Sequence, residues 1–496
     1  MDRRSFLIAT STTATAAWIG LGRGIAQTPQ TPAAAPASKQ ENSKPGLERR
    51  LAQYAAGVRY EDLPVEVVQA CKRFLLDALA CAFGAVNASS ARIAEATYRK
   101  AFGPTGPATI VGNPQLISTE GAALINGTLI RELEFNDIYF GKDPAHPSET
   151  ISAAIACCEE AGRSGRELIE AMVVGYEAEV RLSDAFSWAS RGFISSSAAA
   201  FVVPLVAGKA WRMPVEQIVH AMGISGSRQL ITLAVNSGEI SMMKSVGPGY
   251  AAMDGVFSTR MAAAGMTGVS RPLEWLAANV QPKEASVSID LDPGRHQLTK
   301  VGLRRFPLQG DLQSLAEAGV NLHPKIQGQA GMIREIVVGV YPETLERGVA
   351  APARYQPTSR QTADHSLPIC LAIALLDGDL TSKQFDDGRW KAPEVLALAQ
   401  KVKVEAGQSL IAQMPEGHGT IVEVRFNNGQ ALKETVLIPE GDAEKPMSQA
   451  AMEHKFRQFA DQVLGAAGSN KVIESVRHLE VLKDVREFTR TLRTGT

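Results

Sequence analysis

Among the eight histidines of this 496-residue chain, His146 has the neighbours that a proton-transfer group needs. Pro147 suits the first position of a helix, which puts His146 at the N-cap. There the positive end of the helix disfavours imidazolium and keeps the ring able to accept a proton. Just upstream, Glu134-Phe135-Asn136-Asp137 supplies two carboxylates, and Asp137 is expected to orient His146. Lys244 precedes Gly247-Pro248-Gly249 ahead of a helix, and Arg304-Arg305-Phe306-Pro307 precedes another, with Asp311 as its expected cap. Cationic side chains beside exposed helix N–H groups are what a bound carboxylate requires. If these loops meet, they form a polycarboxylate clamp around a histidine base. Asp364-His365, near Pro368, reads equally well as a capping pair.

Signatures for other chemistry are missing. The chain has no G-x-x-x-x-G-K-[ST], strand-linked G-x-G-x-x-G, H-E-x-x-H, G-x-S-x-G or C-x-x-C, so no cofactor or metal site is expected. Cys71, Cys81, Cys157, Cys158 and Cys370 read as small buried thiols. With 51 basic and 52 acidic residues the net charge is −1, which provides no general basic face for nucleic acid or anionic membrane.

These residues must be held by helices. From about 46 to 283 apolar residues recur at three- and four-residue spacing, as in Val65, Val68, Cys71, Leu75, Leu79 and Ala82, a run that starts after Asp62-Leu63-Pro64 and ends at Gly84. Similar Ala-rich segments follow at about 119–134, 148–161, 165–185, 196–210, 215–224 and 250–264. The texture changes near 284. Ile333 to Tyr341 and Val402 to Glu405 are strand-like, and Asn427-Asn428-Gly429 between Thr420–Phe426 and Ala431–Ile438 is a hairpin signal. Helices are expected at about 311–322 and 365–376, and again after Pro446. At the start, Arg3-Arg4-Ser5-Phe6-Leu7 followed by a softened apolar run reads as a twin-arginine export signal over residues 1–26. A Thr/Pro/Ala/Ser-rich linker, expected to be disordered, follows over 27–45. A periplasmic protein without a stable membrane anchor is the expectation.

Asn126-Gly127, the segment from Glu134 to Ser148, Gly175-Tyr176-Glu177, Gly223-Ile224-Ser225-Gly226-Ser227, Lys244, and Ala363-Asp364-His365-Ser366-Leu367-Pro368 with Ala374-Leu375-Leu376-Asp377-Gly378 resemble the MmgE/PrpD family. The resemblance spans about residues 46–465. It implies a mainly α fold: a large all-helical domain built from both chain ends (46–283 plus 445–496), with an inserted smaller α+β lid domain (284–444), in a homodimer. It further implies a cofactor-independent lyase, 2-methylcitrate dehydratase-like, that moves a proton beside a carboxylate of a small polycarboxylate. His146, Lys244 and Asp137 would then be catalytic, and Arg304, Arg305, Glu134 and Gln309 would bind substrate. Arg304 stands where the family usually has lysine, and Glu134 replaces the first aspartate of an acidic stretch. Ile138, Ile194, Gln309 and Ile369 replace polar residues, which leaves epimerisation, decarboxylation or plain solute binding open and hints at a less polar ligand.

Overall fold

The computed structural model describes residues 45–236, 240–283, 287–414 and 417–495; the expected export signal and nearly all of the linker lie outside them. Helices dominate: α1 (Leu47–Gly57), α2 (Val65–Gly84), α3 (Ser89–Phe102), α4 (Thr119–Arg131), α5 (Ile151–Ala161), α6 (Gly165–Ala185), α7 (Ala199–Ala210), α8 (Val215–Gly226) and α9 (Met243–Ala263). The ends follow local chemistry. Ser118 caps α4 through a 3.2 Å bond from Gly121 N–H, and Ser164 and Glu167 form a capping box at the start of α6. No single helix among the described residues is long and apolar enough to cross a membrane.

Two apolar clusters divide the described chain. The first takes side chains from Leu47 to Leu303 and again from Met447 to Leu492. The second takes those from Phe306 to Val436. The changeover therefore falls between Leu303 and Phe306, later than the change of texture near 284. Val287, Ile289, Leu298 and Val301 belong to the helical cluster, because burial, not β-branched composition, decides which core a side chain joins. The C-terminal helix Gln449–Arg477 returns Met452, Phe456 and Ala460 to the first cluster. Its Lys455 donates to Asp77 Oδ1 (2.6 Å) and to the carbonyls of Phe135 (2.6 Å) and Arg304 (2.9 Å).

The second cluster is built on a mixed sheet of β1 (Ile333–Val340), β2 (Val402–Ala406), β3 (Thr420–Phe426) and β4 (Ala431–Val436), ordered β2-β1-β3-β4. β1 pairs parallel with β2 (Ile336 opposite Val402) and antiparallel with β3, which turns into β4 at Gly429 (φ 86°). Helices Gln313–Ile326 and Leu367–Asp377 supply buried leucines and alanines to the same cluster.

One helix crossing sets the position of Lys244. Gly127 on α4 meets Gly249 on α9, and a Cβ on Gly127 would stand 3.0 Å from the Gly249 Cα. Only hydrogen at both positions permits that approach. Gly247-Pro248-Gly249 is thus not a loop ahead of the helix. It lies inside α9, with Lys244 in the first turn.

Candidate active site

The site forms where α4 ends. Arg131 closes that helix, and Glu134 three residues on has φ +51°, a left-handed conformation that costs a side-chain-bearing residue about 1–2 kcal/mol. Arg304 holds it there. The guanidinium is fully buried and donates to Glu134 O (2.7 Å), Glu134 Oε2 (2.9 Å), Asn136 O (2.8 Å), Leu308 O (3.1 Å) and Asn136 Oδ1 (3.2 Å). Its donors are committed to the protein, so it organises the loop instead of standing open as a ligand clamp. Glu134 also pairs with Lys244, and Arg131 lies 3.6 Å away. Burial opposes ionisation of Glu134, but Lys244, Arg131 and Arg304 together hold its carboxyl well below the usual range.

His146 does occupy the N-cap, of a short turn over Pro147–Thr150 that leads into α5. Its Nδ1 lies 2.7 Å from Asp137 O and 3.2 Å from Arg304 Nη2. One nitrogen cannot donate to a carbonyl and accept from a guanidinium at once, and the closer carbonyl assigns the proton to Nδ1. Nε2 then carries the lone pair and makes no hydrogen bond among the described residues. Burial, then the charges of Arg131 and Arg304, push the ring well below its ordinary pKa; the helix terminus is not the main cause. The ring remains half-buried rather than sealed.

Asp137 orients His146 through its main-chain carbonyl. Its carboxylate instead accepts from Ser148 N–H (3.0 Å) and Ser148 Oγ (2.6 Å), and burial pushes it up to about 6. Two further acids, which no local motif marks, are buried in the same region, with Asp137 and Arg131 among their charged neighbours. Glu149 forms an ion pair with Arg131 (Nε to Oε1 2.8 Å) and accepts from Ser196 Oγ at 2.8 Å, and burial pushes it up to about 7. Glu179 is buried with neither oxygen hydrogen-bonded, and burial, then the charges of Glu149 and Asp137, raise its carboxyl well above the usual range.

The remaining candidates separate. Arg305 faces outward and pairs with Glu440 at 3.0 Å. The Gln309 amide donates to Asp311 (3.0 Å), whose carboxylate also pairs with Arg347 and lies 3.4 Å from His418, so Asp311 caps no helix. Ile369 is buried in the second apolar cluster and Ile194 in the first, so neither hydrophobic replacement needs a ligand to explain it. Ile138 bridges Gly302 and borders a cavity of about 660 Å³ beside Arg304, Phe140 and His418; His146 and Lys244 do not line that cavity.

A second histidine joins the charges instead. The Gln309 N–H donates to Asp364 O (3.0 Å), which ties His365 to the Arg304–Leu308 turn. Lys244 and Glu134 both act on the His365 ring, which is lowered by burial and then by Lys244. Among the described residues no group of three or more His, Cys, Asp or Glu side chains could hold a metal ion, and all five cysteines are buried and free.

Comparison with known proteins agrees along most of the chain. The model of the MmgE/PrpD N-terminal domain matches residues 49–280, and that of the C-terminal domain matches 306–480. The cis-aconitate decarboxylase of Aspergillus terreus is 25% identical over 482 residues, covering 90% of this chain and 96% of its own. The human protein of the same name is 25% identical over 465 residues, covering 88% and 92%. The 2-methylcitrate dehydratase of Escherichia coli K12 is 23% identical over 441 residues, covering 82% and 88%. With both family domains matched in order, and with Glu134, His146, Lys244 and Arg304 gathered into one cluster, the chain belongs to the MmgE/PrpD family.

Proposed function

We propose that this protein is a lyase that needs no cofactor and acts on a small polycarboxylate, dehydratase-like, by removing a proton from a carbon next to a carboxylate. The observation that carries this reading is the neutral His146, Nδ1–H fixed on a carbonyl and Nε2 free, set among Arg131, Lys244 and Arg304. Ionised Glu134 offsets one of those three charges, and Asp137 and Glu149, raised to about 6 and about 7, offset part of the remainder. At an effective dielectric of 20, a unit charge 4 Å from an opposite one gains about 4 kcal/mol. That is the scale of help available to an enolate-like intermediate whose charge grows on the carboxylate oxygens. Lys244 has three donors and uses one on Glu134, so its others can take a substrate carboxylate. Nε2 of His146 accepts the proton, and a hydroxyl leaves from the neighbouring carbon.

A decarboxylase is the second reading. It is favoured by the relatives of that name, which align with more of this chain than the dehydratases do. Incubation of the protein in deuterated water with 2-methylcitrate, citrate and cis-aconitate separates the outcomes. A new enoic acid supports dehydration, released CO₂ supports decarboxylation, and deuterium entry without net product supports epimerisation. Ligand-induced thermal stabilisation without any of these supports a binding protein. His146→Ala should abolish deuterium entry, and retained exchange would overturn the role given to that ring.

The Arg3-Arg4 pattern supports twin-arginine export to the periplasm. Replacing both arginines by lysine should then keep the protein inside the cell, and unchanged fractionation would reject the signal. The homodimer rests on the family resemblance and is tested by sedimentation, where a monomer at micromolar concentration would refute it.

A further inference from the structure

We propose that His365 is the proton donor of this site, a second imidazole brought to the Glu134–Lys244 pair by the sheet-containing part of the chain. The inference rests on the lyase reading above and adds the group which that reading lacks: an acid to protonate what leaves.

His146 comes from the helical cluster, whereas Ala363 and Leu367, either side of His365, pack in the second one. Hydrogen bonds join the two segments: the Gln309 N–H donates to the Asp364 carbonyl (3.0 Å), and Arg304, which donates to the Leu308 carbonyl (3.1 Å) and to Glu134 Oε2 (2.9 Å), lies 3.2 Å from His146 Nδ1, so the two rings come to one set of charges from two differently built parts of the molecule. The His365 ring is 6% exposed. Its Nδ1 meets two acceptors, Asp364 Oδ1 and the Gln361 carbonyl (2.8 Å), so Nδ1 carries hydrogen in either protonation state. Nε2 makes no hydrogen bond among the described residues and is the atom left for chemistry. Asp364 is itself fixed by Arg360 at 2.9 Å, so the carboxylate–imidazole pair is held in place before any ligand arrives. A cap would not require this: Ser366, not Asp364 or His365, caps the helix that follows, with its hydroxyl accepting from Ile369 N–H at 3.2 Å.

The charges facing this ring are Asp364, Lys244 and Glu134. In the free protein, burial and Lys244 keep it neutral. A polycarboxylate seated on Lys244 reverses the local field, and with Asp364 behind it the ring takes up a proton on binding. In the dehydration step the Cα–H bond breaks and its proton passes to His146 Nε2. The electron pair is held by the neighbouring carboxylate as the enolate-like intermediate, then forms the C=C bond as the C–O bond breaks, and the departing oxygen takes the proton from His365 Nε2 to leave as water. His146 ends protonated and His365 neutral, and both return to their starting states by exchange with solvent. If CO₂ leaves instead, the same proton goes to the carbon left behind.

His365→Asn tests this directly, because the amide nitrogen can replace Nδ1–H on Asp364 while Nε2 is lost. Turnover should fall about 10²–10⁴-fold with KM little changed, the range expected for loss of acid–base help. Deuterium entry catalysed through His146 should persist. Undiminished turnover, or loss of exchange and turnover together in a variant with wild-type circular dichroism, would each overturn the assignment. Calorimetric binding of tricarballylate, a tricarboxylate without a hydroxyl, in two buffers of different ionisation enthalpy reads the proton directly. Wild type should take up a proton near neutral pH and the variant none, and equal uptake would overturn the proposal even if no substrate is turned over. A wild-type protein that binds and protonates but never exchanges deuterium would instead defeat the lyase reading.

Discussion

Arg304→Lys is the substitution that most sharply tests how the site is held. It keeps the charge beside Glu134, so a purely electrostatic view expects little change. The geometry expects a large one. The guanidinium serves three main-chain carbonyls (Glu134, Asn136 and Leu308) and two side-chain oxygens from three nitrogens spread over a planar fork. A lysine ammonium gathers its donors on one nitrogen and cannot span both sides of that fork. At least two buried carbonyls then lose their partner, at about 1–3 kcal/mol each, which puts the loss at about 2–6 kcal/mol. The left-handed Glu134 would be free to relax, moving its carboxylate away from Lys244. Urea unfolding followed by circular dichroism measures the loss, and substrate titration should show weaker binding alongside it. A change below about 1 kcal/mol would refute the view that Arg304 fixes this loop, and would return it to the role of an open carboxylate clamp.

Two further outcomes follow from the packing and the buried acids. Gly249→Ala would drive a methyl group against the Leu124 carbonyl and to 2.6 Å from Thr128 Oγ1. It should cost about 1–3 kcal/mol by overpacking and weaken substrate binding by shifting Lys244; unchanged stability and KM would show that the α4–α9 crossing tolerates a side chain. Burial pushes Glu149 from 4.5 up to about 7, so between those values the folded protein keeps a proton that the unfolded chain has released. That stabilisation is complete below about pH 4.5 and is lost as pH rises through about 7. Measured against wild type, Glu149→Gln should therefore gain relative stability across this window, and a flat or opposite trend would mean that the carboxyl is already ionised when folded.

Local patterns carried the elements of this protein well. The three- and four-residue spacing from Val65 to Ala82 became one helix ending at Gly84, and Asn428-Gly429 turned the hairpin between β3 and β4. Pro147 put His146 at an N-cap. Each of these depends on residues within one or two turns of chain, where backbone sterics and hydrogen bonding act directly. Gly247-Pro248-Gly249 misled for the same reason: the residues look like a loop, but a glycine contact with α4 makes a close helix crossing there.

Residue order alone was enough for the succession of helices and strands, the family, and a short set of polar residues in unusual settings. Tertiary structure alone decided what those residues do to one another. Glu134 and Arg304 are 170 positions apart, and nothing local states that one guanidinium will use up its donors on that loop, or that Arg305 beside it will face outward. Nor could spacing reveal that the Asp137 carbonyl, not its carboxylate, meets His146, or that Lys244 would pair with Glu134. Protonation is decided the same way. The free energy of a charge depends on the water it loses and the charges it meets, and both are properties of the packed molecule.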